Sequence, residues 1–171
     1  EKNPDIVVML HPDYQYDPRV IPLMCKLIEY GICDVVVGNR IRTRKEALDG
    51  GMPLYKYISN RFLTIIENII TGQNLGEWHS GIRAYSAKVL KTINWKENSN
   101  DFIFDTQFLF QCVNAGFKIG DIPVPVKYFK EASSINFVKS LEYGFMNLYV
   151  AILYILNNLG LKNKLFKTSQ L

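Results

Sequence analysis

The chain has 171 residues, 48% of them hydrophobic and 13% aromatic, which suits one globular domain with a sizeable core. Its 20 basic and 16 acidic residues leave a net charge of +4. That is too mild for a nucleic-acid binder, so the places where cations cluster matter more than their sum. Cys25, Cys33 and Cys112 are odd in number, show no C-x-x-C spacing and sit among apolar residues. They read as reduced thiols of a cytosolic protein and imply no zinc site.

In chain order, the apolar run Ile6 to Leu10 predicts a strand that leads straight into His11-Pro12-Asp13-Tyr14-Gln15-Tyr16-Asp17-Pro18. His11, Asp13, Gln15 and Asp17 alternate just past the strand end. Ligands of open α/β sheets bind outside the carboxyl ends of strands, so oxygen and imidazole donors there suit a metal-bound diphosphate. Asp17 before Pro18 also reads as the N-cap of the next helix. That helix is expected over about Arg19 to Tyr30, stopped by Gly31. A second strand, Asp34 to Val37, ends at Gly38-Asn39-Arg40, after which Arg40, Arg42, Arg44 and Lys45 crowd together. Arg40, and with it Arg42, stands where a fork of donors can clamp phosphate, whereas Arg44 and Lys45 read as a solvated mobile loop.

Gly50-Gly51-Met52-Pro53 breaks the chain before a helix over about Leu54 to Thr71, whose Ile58, Phe62, Ile65, Ile66 and Ile69 make one apolar face. A loop around Glu77 to Arg83 and a short helix from about Ala87 follow. Next come a helix from Phe104 to Asn114 closed by Gly116, and a strand from Lys118 to Val126 whose Pro123 and Pro125 suit a sheet edge. A long helix from about Ser134 to Leu161 carries the apolar run Leu148 to Leu156, trailed by Lys162, Lys164 and Lys167. That run is under half of the roughly 20 residues a bilayer span needs. It suits a membrane interface, an oligomer contact, or packing on a neighbouring part of the protein.

Strands alternating with helices predict an α/β fold with a largely parallel sheet. Roughly three strands are legible where doubly wound sheets usually have about five or six. Because the chain opens directly on a buried-type strand, the first βαβ units, those that hold a nucleotide base and ribose, are expected to lie outside it. Residues 1–140 then form the metal-loop and acceptor-side part of the domain, and 141–171 an amphipathic C-terminal helix with a basic tail.

Asp5 to Pro18, Gly38-Asn39-Arg40, Gly51-Met52-Pro53-Leu54-Tyr55-Lys56-Tyr57, Trp78-His79-Ser80-Gly81-Ile82-Arg83-Ala84-Tyr85, Phe104-Asp105-Thr106-Gln107 and Glu131 to Phe137 occur in this order. Taken together, the chain resembles a family 2 glycosyltransferase of the GT-A fold over nearly its whole length. The similarity is closest to the bacterial branch of polyprenyl-phosphate, dolichol-phosphate mannose synthase-like sugar transferases. The resemblance implies a Rossmann-like sheet, a nucleotide-diphospho-sugar donor and a divalent cation, Mg²⁺ or Mn²⁺.

Carried onto this sequence, the family's D-x-D falls on His11-Pro12-Asp13, with Gln15 matching a glutamine that supports the metal. The resemblance therefore implies Asp13, His11 and Gln15 as metal ligands, with a histidine in place of the first aspartate. A neutral imidazole there removes one negative charge and favours Mn²⁺ if it ligates. Hydrogen bonding to a phosphate, or ordering of the loop, are the other two roles open to His11.

The family's D-x-x-S-G-x-R falls on Glu77 to Arg83, with glutamate for aspartate. It implies Glu77 and Asp105 as catalytic carboxylates, and Arg40, Ser80, Gly81, Arg83, Gln107, Lys127 and Ser133 as substrate contacts. A lipid-phosphate acceptor is already anionic near neutral pH and needs no base, so Glu77 would then position the sugar. An alcohol acceptor would need Glu77 or Asp105 to take its proton. His79 reads as a loop residue near the acceptor.

The function expected is metal-dependent, inverting transfer of a hexose-type sugar to a polyprenyl phosphate or another envelope-glycan acceptor. The protein would work in the cytoplasm, peripherally on the inner face of the plasma membrane through its last helix, with no nucleic-acid partner and with self-association open. Two other readings are a non-catalytic membrane- or partner-binding module with a degenerate metal site, and a nucleotidyltransferase on a similar sheet.

Overall fold

The computed structural model describes residues 3–127 and 137–168. Its centre is a four-stranded sheet in the order β1-β3-β2-β4, made by β1 (Ile6–Leu10), β2 (Val35–Asn39), β3 (Ile82–Ser86) and β4 (Ile119–Pro123). β3 pairs antiparallel with both β1 and β2, while β2 pairs in parallel with β4. Thus β1, β2 and β4 all point one way and β3 alone runs against them. The proline-bearing strand lies at an edge, as Pro123 requires.

β3 is the element that sequence pattern missed, because its alternation is disguised. Ile82 and Ala84 point to one core, whereas the other side carries Tyr85 and the fully buried Arg83. Successive strand residues face opposite ways. Val35 and Val37 therefore enter one core and Val36 the other. Below the sheet, Met24 of α1 (Ile21–Glu29) packs on Val36, Ile82 and Ala84. Above it, α4 (Ala87–Thr92), α5 (Phe104–Asn114) and α6 (Phe137–Asn158) supply Val89, Phe108, Leu109, Phe110, Val150, Ala151 and Tyr154.

Local signals set several boundaries. Asp17 accepts from the Arg19 N–H at 3.0 Å and starts a single 3-10 turn, Pro18–Val20, ahead of α1. Arg44 and Lys45, expected in a mobile loop, instead open α2 (Arg44–Asp49). Thr43 caps that helix by accepting from the Glu46 N–H at 3.1 Å, and Arg42 pairs with the Glu46 carboxylate.

Helix α3 (Leu54–Thr71) occupies the expected span with its amphipathicity reversed. Ile58, Phe62, Ile65 and Ile69 are 50–76% exposed, while Leu63, Thr64 and Glu67 are buried. The polar stripe faces inward because it holds the irregular segment before β3, whose backbone groups have no ladder partners. Asn68 accepts from the Leu75 N–H at 3.1 Å and the Trp78 indole at 2.8 Å, and donates to the Leu75 carbonyl at 2.8 Å. Arg61 donates to the Gly76 carbonyl at 2.7 Å.

Helix α6 packs against α3 and α5 and exposes a second apolar stripe, Leu141, Phe145, Tyr149 and Ile152. The division drawn at 140/141 falls inside this helix. Among the described residues no helix is long and apolar enough to cross a membrane.

Candidate functional site

The carboxyl ends of β1 and β2, the first half of α3 and the start of α5 enclose a cavity of about 210 Å³. The segment after β1 contributes His11, Asp13 and Gln15 to its lining. Their loop is tightly built. His11 N–H donates to the Gly81 carbonyl at 3.1 Å, Asp13 Oδ1 accepts from the Gln15 N–H at 3.1 Å, and the Gly81 N–H donates to the Tyr16 hydroxyl at 2.7 Å. Tyr14 between them adopts a left-handed φ of 58°, a conformation a large L side chain rarely takes. A Cβ on Gly81 would stand 2.7 Å from Cγ and Nδ1 of His11, so only glycine admits the imidazole there.

Arg40, just beyond β2, lines the same cavity and is held from behind by Glu77. The Glu77 carboxylate is fully buried and accepts from Arg40 N–H at 2.8 Å, Arg40 Nε at 2.7 Å, Arg40 Nη2, and Asn60 Nδ2 at 2.9 Å. Arg40 Nη2 also donates to the His79 carbonyl at 2.9 Å. Burial opposes ionisation of Glu77, but the Arg40 charge and these hydrogen bonds outweigh it and hold the carboxyl below its usual range. Lys56 of α3 lines the cavity too. Burial first, and then the Arg40 charge, push its ammonium below the usual range. Arg40 and Lys56 thus bring two cationic side chains to the same cavity.

Arg83 does different work. It donates to the carbonyls of Ser80, Asp105 and Trp78, each at 2.9 Å, and stands 3.5 Å from the Asp105 carboxylate. Burial works against its charge, yet Asp105 raises its affinity for the proton above the ordinary value. Arg83 thus ties β3 and its preceding segment to the start of α5.

Of the residues singled out from sequence, His11, Asp13, Gln15, Arg40, Gly81 and Asp105 share the cavity. Glu77, expected as a catalytic carboxylate, and Ser80, Arg83 and Gln107, expected as substrate contacts, are not in its lining. Glu77 holds Arg40, Ser80 Oγ accepts from the Ile82 N–H at 3.4 Å, and Gln107 Oε1 accepts from the Ser99 N–H at 2.8 Å. Lys127 meets the loop through its backbone, donating to the Gln15 carbonyl at 3.1 Å. Ser133 lies outside the described residues. Sequence reasoning left out Lys56, Asn60 and Tyr143 and gave His79 only a loop role, although all four line the cavity. Lys56 and Asn60 follow each other by one helical turn, a signal obscured by the stronger apolar stripe. Among the described residues no group of three or more His, Cys, Asp and Glu converges as a self-sufficient metal cage.

No family model matches the chain. It is 28% identical over 128 residues to the UDP-N-acetylglucosamine--dolichyl-phosphate N-acetylglucosaminyltransferase of Methanococcus voltae, a match covering 75% of this chain and 50% of that protein. It is 27% identical over 122 residues to the dolichyl-phosphate hexose transferase of Haloferax volcanii, covering 71% and 50%. With the low-salt glycan biosynthesis hexosyltransferase Agl6 of the same species it shares 28% over 99 residues, covering 57% and 24%. The chain thus spans about half the length, or less, of these curated relatives. In structure it resembles glucosyl-3-phosphoglycerate synthase from Mycobacterium tuberculosis, solved with phosphoglyceric acid. The TM-score is 0.56 at 16% identity, over 94% of this chain and 51% of that one.

Proposed function

We infer, taking this chain as a family 2 glycosyltransferase-like protein of the GT-A fold, that the whole protein moves a sugar from a nucleotide diphosphate to a polyprenyl phosphate of the dolichyl type. The observation that carries the reading is the pairing, in one cavity, of the Asp13 loop with Arg40 and Lys56. One end supplies oxygen donors and the other supplies cations. Two relatives named as dolichyl-phosphate transferases supply the acceptor class.

Asp13, His11 and Gln15 would be the residues to hold a divalent cation, Mg²⁺ or Mn²⁺, since the loop gathers oxygen and imidazole donors at one side of the cavity. When bound, such an ion neutralises charge growing on the departing diphosphate. Arg40 and Lys56 would bind the acceptor phosphate. A phosphate monoester ionises near pH 6, so its oxygen attacks the anomeric carbon without a base, from the face opposite the leaving group, and inverts the centre. The state of Glu77 agrees with this, since a buried, ionised carboxylate fully occupied by Arg40 and Asn60 has no place for a substrate proton. A non-catalytic module would need no such division of donors and cations, and the named transferases weigh against it.

Full-length protein given UDP-hexose or UDP-N-acetylhexosamine, Mn²⁺ and dolichyl phosphate in detergent is expected to form an acid-labile lipid-phosphate sugar. Chromatography of radiolabelled product checks it. Transfer to dolichol but not to dolichyl phosphate would replace the acceptor.

The exposed stripes of α3 and α6 support docking on the membrane surface where such an acceptor resides. The two helices touch, both stripes are apolar, and Lys162, Lys164 and Lys167 follow α6. Phe62→Glu together with Phe145→Glu is expected to weaken sedimentation with anionic vesicles about tenfold or more. Unchanged vesicle binding, with a dimer lost in size-exclusion chromatography, would assign the stripes to self-association.

A further inference from the structure

The cavity wall formed by α5 and α6 contains a hydrogen-bond chain to which neither the fold nor the proposed transfer assigns a task. Asn147 Nδ2 donates to the Tyr143 carbonyl at 2.6 Å, so its Oδ1 is the acceptor of the Thr106 hydroxyl at 2.5 Å. The Thr106 proton is thereby used. The Tyr143 hydroxyl lies 2.9 Å from His79 Nδ1 and 3.3 Å from Thr106 Oγ1. On the far side of the ring, His79 Nε2 stands 3.1 Å from the buried Glu67 carboxylate. The pair is not aligned as a hydrogen bond, and Nε2 and both Glu67 oxygens are buried without one. The nearby carboxylate electrostatically favours a hydrogen on Nε2, which leaves Nδ1 as an acceptor for the Tyr143 proton. If both ring nitrogens carry hydrogens, Tyr143 passes its proton to Thr106 instead. Either way the proton is directed into the wall, and a lone pair remains for the cavity.

Tyr143 and His79 both line that cavity, their rings meeting edge to face at 5.6 Å. The phenol stays neutral, since burial pushes its pKa up to about 12. A neutral hydroxyl with its proton committed elsewhere accepts hydrogen bonds and repels phosphate oxygens, which are themselves acceptors. The Arg40 and Lys56 wall has the opposite preference.

We propose that Tyr143 is a sugar-binding residue that accepts a hydrogen bond from one hydroxyl of the transferred sugar, and that His79, backed by Glu67, is the positioning residue that fixes its polarity. The assignment rests on the transfer reading above for the identity of the ligand. It divides the cavity into a phosphate side on β2 and α3 and a sugar side on α5 and α6.

The test uses full-length protein with whichever UDP-hexose it turns over, and the monodeoxy analogues of that donor. Tyr143→Phe keeps the ring and removes the acceptor. It is expected to lower kcat/KM for the parent donor about tenfold, to leave KM for the acceptor phosphate unchanged, and to show no deficit with one particular deoxy donor. His79→Gln is expected to lose discrimination against the same analogue. A uniform deficit of Tyr143→Phe across all analogues, or no deficit at all, overturns the proposal, as does a loss accounted for by a lowered Tm. Should no sugar be transferred, the transfer reading falls. The same analogue series, read by calorimetry as donor binding, then still decides Tyr143, and binding indifferent to Tyr143→Phe overturns it.

Discussion

Glu77→Ala in the full-length protein is expected to lose about 3–5 kcal/mol of stability and nearly all turnover with a phosphate acceptor. The substitution leaves Arg40, a largely buried guanidinium, without the carboxylate that meets its backbone N–H, Nε and Nη2. Urea unfolding measures the first effect, and steady-state kinetics at saturating donor the second.

The two effects separate in Glu77→Gln combined with Arg40→Met. Removing both charges recovers much of the stability, because neither is then left buried without its partner. Activity should not return, since the guanidinium proposed to bind the acceptor phosphate is gone.

A pH signature accompanies the pair. The Glu77 carboxyl is held below its ordinary value of 4.5 in the folded chain. It therefore binds fewer protons folded than unfolded just below that value, and its stabilisation is present above it and lost as pH falls. The gap in stability between wild type and Glu77→Gln should narrow on acidification. A gap independent of pH would mean that shape, not charge, is what Glu77 supplies.

The contrast between Glu77 and the residues sequence placed well shows where pattern reading works. Leu54 to Thr71 was legible as a helix because propensity and flanking Gly and Pro are local properties. Which side it buries was not, since Ile58, Phe62 and Ile69 point outward. The deciding contacts, Asn60 to Glu77 and Asn68 to Trp78, come from a loop the helix does not predict. β3 was hidden for a related reason. Arg83 makes a strand residue look like loop until its three carbonyl partners are known. The loop after β1 was legible because its donors are consecutive and follow a clear strand. The Glu77 to Arg83 segment stood out in sequence, but the burial of Glu77 against Arg40 and Asn60 did not. Spacing alone cannot say whether a carboxylate faces a cavity or the arginine beside it.

Asp13→Ala is expected to reduce metal-dependent turnover by on the order of 10³-fold while leaving the fold intact. The separation follows from geometry. Asp13 lines the cavity and accepts a hydrogen bond from Gln15 N–H at 3.1 Å, a local turn contact whose loss costs about 1 kcal/mol. Tm should move little, in contrast to Glu77→Ala. Turnover of the wild type should stop with EDTA and return with Mn²⁺ or Mg²⁺. Because an imidazole stands at His11 beside a single carboxylate, His11→Asp should shift the preference from Mn²⁺ toward Mg²⁺, which favours oxygen ligands. Titrating both ions against initial rate in the three proteins checks the whole set. Undiminished activity of Asp13→Ala would remove the metal from this loop, and His11→Asp with an unaltered preference would leave His11 its hydrogen bond to the Gly81 carbonyl and the packing that Gly81 permits.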